Sequence, residues 1–165
     1  MIIREINTAD SEALANLTKQ VEASSEYMLW EPAERNMDPN KQRKMIEKMV
    51  KSKNSTIFVA EEKNKLIGFI MSVGGPANRN KHSAYIVIGI LKEYRGQGVG
   101  TKLFQYLEQW ALHHDIHRLE LTVVTRNEIG ISLYQKMGFE IEGRKRDSLL
   151  INSEYVDEYY MSKLL

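Results

Sequence analysis

The run Ala84-Tyr-Ile-Val-Ile-Gly-Ile-Leu91 passes directly into Lys92-Glu-Tyr-Arg95-Gly96-Gln97-Gly98-Val99-Gly100, and no other stretch limits the architecture of this chain as much. A short, bounded apolar run of this kind reads as a buried strand. After the glycines, Val99, Leu103, Leu107, Trp110 and Ala111 recur on one side of a helix. A strand that feeds a helix through such a turn leaves free N–H groups at the helix start, with the helix dipole behind them. Glycine lets the backbone approach a ligand closely, and Arg95 adds a charged donor. The junction is therefore a candidate anion site that suits a diphosphate. A glycine-rich helix start with no ligand would have the same sequence.

The spacing G-x-G-x-G departs from the dinucleotide fingerprint G-x-G-x-x-G. Nor does Thr101-Lys102 follow a G-x-x-x-x-G in the order a P-loop requires. The rest of the chain offers no general attraction for anions. It has 23 Lys and Arg against 22 Asp and Glu, a net charge of +1, so neither nucleic acid nor membrane is expected as a partner. There is no cysteine, which excludes disulfides, thiolate nucleophiles and Cys-based zinc sites. With 165 residues, 42% apolar and 27% charged, a single domain over 1–165 with a sizeable core is expected. Met1 to Asp10 lacks an apolar signal core, and no run of about 18 apolar residues occurs. A cytoplasmic protein is the expectation.

Periodicity orders the remaining segments. Ile2 to Ile6 alternates like a strand, and Thr8 or Asp10 can cap a helix carrying Ala13, Leu14, Leu17 and Val21. Asp38-Pro39 starts a second helix with Met45, Ile46, Met49 and Val50 on one face. Ser55 to Glu62 and Lys65 to Val73 form a hairpin around Lys63-Asn64, and Gly74 to Lys81 is a loop. Beyond the glycine turn and its helix, Leu119 to Val124 is a strand. Asn127 caps a helix that Gly138 ends, and Phe139 to Asp147 and Glu154 to Leu164 are two final strands. The order β-α-α-β-β-β-α-β-α-β-β describes an α+β domain with a mixed, largely antiparallel sheet.

A second constellation is Asn127-Glu-Ile-Gly-Ile-Ser-Leu-Tyr134-Gln-Lys136-Met-Gly138-Phe139. Read alone, its apolar positions could simply be core. Together with R-x-x-G-x-G at Arg95 to Gly100, it resembles the GNAT superfamily of acetyl-CoA-dependent N-acetyltransferases, whose signature here runs N-x-x-A-x-x-L-Y-x-K-x-G-F. Gly130 stands where alanine is usual. That change keeps a small residue but costs a helix roughly 1 kcal/mol.

The resemblance implies a three-layer fold with a splayed sheet of about seven strands and about four helices. It implies that acetyl-CoA lies between the Ala84–Leu91 and Leu119–Val124 strands, with no metal. The pantetheine arm would pair with the backbone at Ile88, Gly89 and Ile90, and Gly89 would ease a bulge there. The diphosphate would lie on Arg95, Gly96, Gln97, Gly98, Val99, Gly100 and Thr101, with Asn127 and Lys136 also on the cofactor. The N–H near Ile90 could stabilise the oxyanion. Tyr134 would meet the leaving sulfur, by a hydrogen bond or by proton transfer that costs at most roughly 2 kcal/mol from an unshifted phenol. Two copies pairing through sheet edges is the family-based expectation.

The amine acceptor belongs to Tyr27 to Asn36, where Tyr27, Trp30, Glu31, Glu34 and Arg35 could bind an amine carrying a carboxylate or a peptide. An ordinary packed loop would also read this way. The expected strand offers no carboxylate as base. His82, Glu31 and Glu34 are candidates, though a solvated role fits each. An α-amine with a pKa of about 7.8 is about a quarter neutral near pH 7.4 and needs no strong base. That leans toward an amino acid, a small amine or a peptide α-amine. A protein N-terminal acetyltransferase and a non-catalytic acetyl-CoA sensor are the alternatives. His113, His114 and His117 read as a helix end rather than a metal site.

Overall fold

The computed structural model describes residues 1–165. It has seven strands, β1 (Ile2–Glu5), β2 (Thr56–Glu62), β3 (Lys65–Gly74), β4 (Ser83–Ile90), β5 (Arg118–Val124), β6 (Glu140–Ile151) and β7 (Glu154–Leu164). There are four α-helices, α1 (Ser11–Ala23), α2 (Pro39–Lys51), α3 (Val99–His113) and α4 (Glu128–Lys136), and 3-10 turns at Thr8–Asp10 and Lys92–Tyr94. The strands form one sheet in the order β1-β2-β3-β4-β5-β7-β6. Every neighbouring pair is antiparallel except β4 and β5, which are parallel. The α+β reading and the strand order along the chain match what periodicity gives. No helix is long and apolar enough to cross a membrane.

Helices cover both faces of the sheet. Side chains alternate faces along a strand, and neighbouring residues of β4 therefore meet different helices. A Cβ built on Gly89 would lie 3.0 Å from Val21 of α1, whereas Ile90 approaches Gly100 of α3. The apolar stripe of α1 (Leu14, Leu17, Val21) and that of α3 (Leu103, Phe104, Leu107, Ala111) are buried against these two faces. Phe104 makes edge contacts with Tyr134 and Phe139 at 5.9 and 5.5 Å, so α4 packs beside α3.

Three local readings are corrected. Asp10 is the N-cap residue of α1, as read, but it makes no side-chain cap bond there, because the capping interaction falls on a preceding 3-10 turn. Asn7 accepts from the Ala9 amide and forms a capping box with Asp10, whose carboxylate also takes two bonds of 2.8 Å from Arg4. A 3-10 turn results, and α1 follows it. The last hairpin is longer, because β6 continues to Ile151 through register shifts at Ile141/Gly143 and Lys145/Leu149. Charged, exposed residues at 144–147 hide that continuation from a hydrophobicity pattern. Finally, β3 and β4 stay in register from Gly68↔Ile90 to Gly74↔Ala84, so Gly89 makes no bulge. It is glycine because Phe69 fills its space, with Cε1 2.7 Å from where a Cβ would sit.

Ser72 of β3 is fully buried, and its hydroxyl has no partner. Burying a hydroxyl unpaired costs about 1–3 kcal/mol, so Ser72→Ala should be neutral or stabilising by up to about 1 kcal/mol in urea unfolding. Gly89→Ala should instead lose about 1–3 kcal/mol, since β3 and α1 must both move to admit the methyl group. The same titration reads both, and a destabilised Ser72→Ala would mean that the hydroxyl has a partner.

Candidate functional site

The parallel pairing of β4 with β5 covers only Ser83↔Arg118, Ala84↔Leu119 and Tyr85↔Glu120. Beyond Tyr85 the strands diverge, and a cleft opens along the second half of β4. The Leu91 amide donates to the Ile67 carbonyl at 3.0 Å. Bonded and non-bonded positions alternate along an antiparallel pair. Val87 and Gly89 thus turn their backbone groups toward β3, and Ile88 and Ile90 turn theirs into the cleft. Two main-chain donors face an open gap between strands.

The glycine turn closes the same end. Gly96 and Gly98 have φ of 73° and 81°, a left-handed conformation that costs a residue with a Cβ roughly 1–2 kcal/mol. Nothing lies within 4 Å of where a Cβ on either would sit, so the turn is open to solvent. The first helical bond of α3 is Lys102 N–H to the Gly98 carbonyl at 3.1 Å, and no backbone acceptor takes the amides of residues 96 to 101. Six consecutive N–H groups, the last three on the first turn of a 15-residue helix, are free of backbone partners, an arrangement suited to an anion. Arg95 is placed differently from a free donor. Its Nε donates to the Ile90 carbonyl at 3.0 Å, and its other nitrogens reach the Ser24 carbonyl and hydroxyl at 3.4 and 3.2 Å. The guanidinium braces the turn against β4 and α1. Gln97 donates to the Glu93 carbonyl at 2.7 Å.

Asn127 caps α4 by accepting from the Gly130 amide at 3.0 Å. A Cβ on Gly130 would come within 2.7 Å of the Asn127 amide nitrogen, so that side chain would have to shift to admit a methyl group. Tyr134 lies two turns along, with Phe104 and Phe139 around its ring. Burial pushes its hydroxyl up to about 12, with Tyr85 of β4 adding to the effect. Lys136 is exposed on the last turn of the helix.

The acceptor candidates divide into two groups. Tyr27 extends its hydroxyl to the Arg126 carbonyl at 3.5 Å, tying the α1–α2 loop to the end of β5. Arg35 stacks over Trp30 with its Cζ 5.2 Å from the ring centroid, and its Nε donates to Glu22 at 3.0 Å. Glu22 is 2% exposed. Sequence reasoning missed it, because one acidic residue on an amphipathic helix normally reads as solvated. The Glu31 amide donates to the Glu34 carboxylate at 2.9 Å, and both side chains are exposed. His82 does not join the others. It precedes β4 at the closed end, its carbonyl taking the His117 and Arg118 amides at 2.8 and 3.1 Å. At about 3.3 Å per residue it is roughly 25 Å along the strand from Ile90. His113 and His114 point their Nδ1 atoms at carbonyls of their own helix, those of Gln109 and Trp110.

Comparison with known proteins agrees with this geometry. Residues 21–139 match the model of the acetyltransferase (GNAT) family. Over 90 residues the chain is 36% identical to an L-amino acid N-acetyltransferase of Escherichia coli (strain K12), across 52% of this chain and 54% of that protein. The matched region thus spans about half the length of that relative. An acetyltransferase of the GNAT family from Streptococcus pneumoniae has a TM-score of 0.95 at 28% identity, covering 99% of this chain and 98% of that one. A structure from Salmonella typhimurium, determined with acetyl-CoA as its cofactor, has a TM-score of 0.89 at 17% identity over 100% of this chain and 94% of the other, a likeness of fold alone. With the family match extending from the end of α1 through Phe139, across the cleft, the glycine turn and Tyr134, the chain belongs to the acetyltransferase (GNAT) family.

Proposed function

We propose that the chain transfers the acetyl group of acetyl-CoA to a primary α-amine by direct attack in a ternary complex. The observation that carries this reading is the row of six unpaired amides, residues 96 to 101, at the mouth of a cleft lined by two more main-chain donors. Such a row suits a diphosphate, and the strand edge suits an extended amide-bearing arm. The residues therefore fit coenzyme A. When bound, acetyl-CoA supplies the activated acetyl thioester.

The chain's own groups then have separable tasks. The amides of Gly96 to Thr101 hold the diphosphate without using a side-chain charge. The free edge at Ile88 and Ile90 aligns the arm, and the Ile90 N–H stabilises negative charge as it grows on the acetyl oxygen. Asn127 keeps its amide nitrogen free for the ligand while its oxygen holds the cap. Tyr134 supplies a hydrogen bond to the departing sulfur. Full proton transfer is disfavoured, because a phenol near 12 faces a thiol near 8.5, a gap of roughly 5 kcal/mol. The raised phenol makes Tyr134 a donor that stays protonated throughout catalysis.

The acceptor is an amino acid, a small amine or a peptide α-amine. The name of the Escherichia coli relative supports the first of these. No carboxylate of the α1–α2 loop is held in the cleft, and His82 is at the far end of β4, so the neutral fraction of an α-amine serves as nucleophile. Arg35 stacks over Trp30 with its Nε and Nη2 committed to Glu22, which leaves Nη1 to meet the carboxylate of such an acceptor.

Thiol release from acetyl-CoA across amino acids, polyamines, aminoglycosides and short peptides tests the reading. Tyr134→Phe should lower kcat at least tenfold while the acetyl-CoA Kd stays within about threefold, because the hydroxyl acts at the leaving group rather than in binding. The rate should rise with pH as the acceptor amine loses its proton near about 8. It should then hold level through about pH 10, since the raised Tyr134 keeps its proton there. Acetyl-CoA binding with no thiol release from any amine would favour a sensor. A fall in rate between pH 8 and 10 that the Phe variant removes would assign Tyr134 an ordinary phenol and overturn the donor role.

A further inference from the structure

A cavity of about 140 Å³ opens where β4 and β5 part, lined by Tyr85, Arg118, Glu120, Thr122, Tyr160 and Met161. Strand register explains the grouping. Tyr85 and Glu120 are the last pair between β4 and β5, and Thr122 is opposite Tyr160 across β5 and β7. By alternation these four side chains share a face, and it is the face of Gly89, on which α1 packs. Tyr134 comes to the cleft from the opposite face, beside Phe104 of α3. The cavity and Tyr134 therefore approach one gap from its two sides. A 2.7 Å hydrogen bond between the Tyr85 hydroxyl and Thr122 Oγ1 spans that gap.

The lining has little charge left to offer. Arg118 and Glu120, its two charged side chains, are paired at 2.8 Å. Glu142 holds the remaining guanidinium nitrogens at 2.6 and 2.8 Å, and this pairing keeps its carboxyl down at about 2. One guanidinium is shared by two carboxylates, so no free cation remains for a side-chain acid, and the one excess negative charge is spread over groups already bonded to Arg118. What remains is a polar hydroxyl bridge and the rings of Tyr85 and Tyr160.

We propose that this cavity is the side-chain subsite of the acceptor, which is an α-amino acid with one compact, uncharged, apolar side chain. The inference rests on the acceptor reading above. Tyr85 and Thr122 set specificity; acidic amino acids are rejected for want of a free cation, and polyamines and aminoglycosides are too large for a cavity of about 140 Å³.

Calorimetric titration of the protein, saturated with coenzyme A, reads the site without turnover. The probes are L-leucine, L-phenylalanine, glycine, L-glutamate and spermidine. Leucine or phenylalanine should bind at least tenfold more tightly than the other three. Thr122→Leu fills the cavity and Tyr160→Ala removes a wall. Each should cut that advantage over glycine at least fivefold. Tyr160 is 45% exposed, so its variant keeps the test valid if Thr122→Leu fails to fold. Equal binding of glycine and leucine, a preference for spermidine or glutamate, no binding by any of the five, or a preference that survives both substitutions would overturn the subsite. Thiol release by the unsubstituted protein is read in parallel. If it is absent while the calorimetric preference and its loss in the variants hold, the transferase reading fails and the subsite stands.

Discussion

The short parallel pairing between β4 and β5 is the constraint on which the site depends. A sheet normally satisfies its strand edges along their whole length, because an unpaired N–H or C=O away from water costs a hydrogen bond. Here the pairing stops after three residues, and the second half of β4 keeps one edge free inside the molecule rather than at its rim. The strand is still held firmly, since its other edge is in unbroken register with β3 over seven pairs. The cleft is thus a rigid edge and an exposed row of donors at once. The glycine turn at its mouth adds a second row on the first turn of α3, so strand edge and helix start present a line of main-chain N–H groups interrupted by the bonded amides of Leu91, Tyr94 and Arg95.

That line is readable from sequence because it is built from backbone conformation, and glycine spacing reports backbone conformation directly. The apolar run Ala84–Leu91, the turn and the helix after it fall where periodicity puts them, and Asn127 caps its helix as its position suggests. Side-chain destinations are a different matter. Arg95 reads as a phosphate ligand, yet its donors are committed to Ile90 and Ser24. Glu22 looks solvated on α1, yet it is buried under Arg35 from a loop thirteen residues away. Tyr85 hides within an apolar run, and only the register with β5 places it opposite Glu120 and near Thr122. Each of these depends on a contact made across the fold, which local pattern does not encode.

Two glycines show the same distinction at finer scale. Gly98 is predictable, because its left-handed conformation belongs to the turn itself. Gly89 is not, because its requirement comes from Phe69 on the neighbouring strand and Val21 on a helix above. Gly130 falls between the two. It departs from the family signature, but the Asn127 side chain occupies the space a methyl group would need.

The end of α1 and its C-cap Ser24 touch three parts of the site. Val21 packs on β4 at Gly89, Glu22 holds Arg35 and through it the Trp30 loop, and Ser24 receives Arg95 from the glycine turn. Three residues within four positions thus join the strand edge, the Trp30 loop and the glycine turn. Any lineage that rebuilt its loop to accept a new amine would have to do so around a fixed anchor, or else re-tune the phosphate end of the molecule at the same time. The helix that makes no contact of its own with the proposed chemistry is therefore the one that evolution is least free to move.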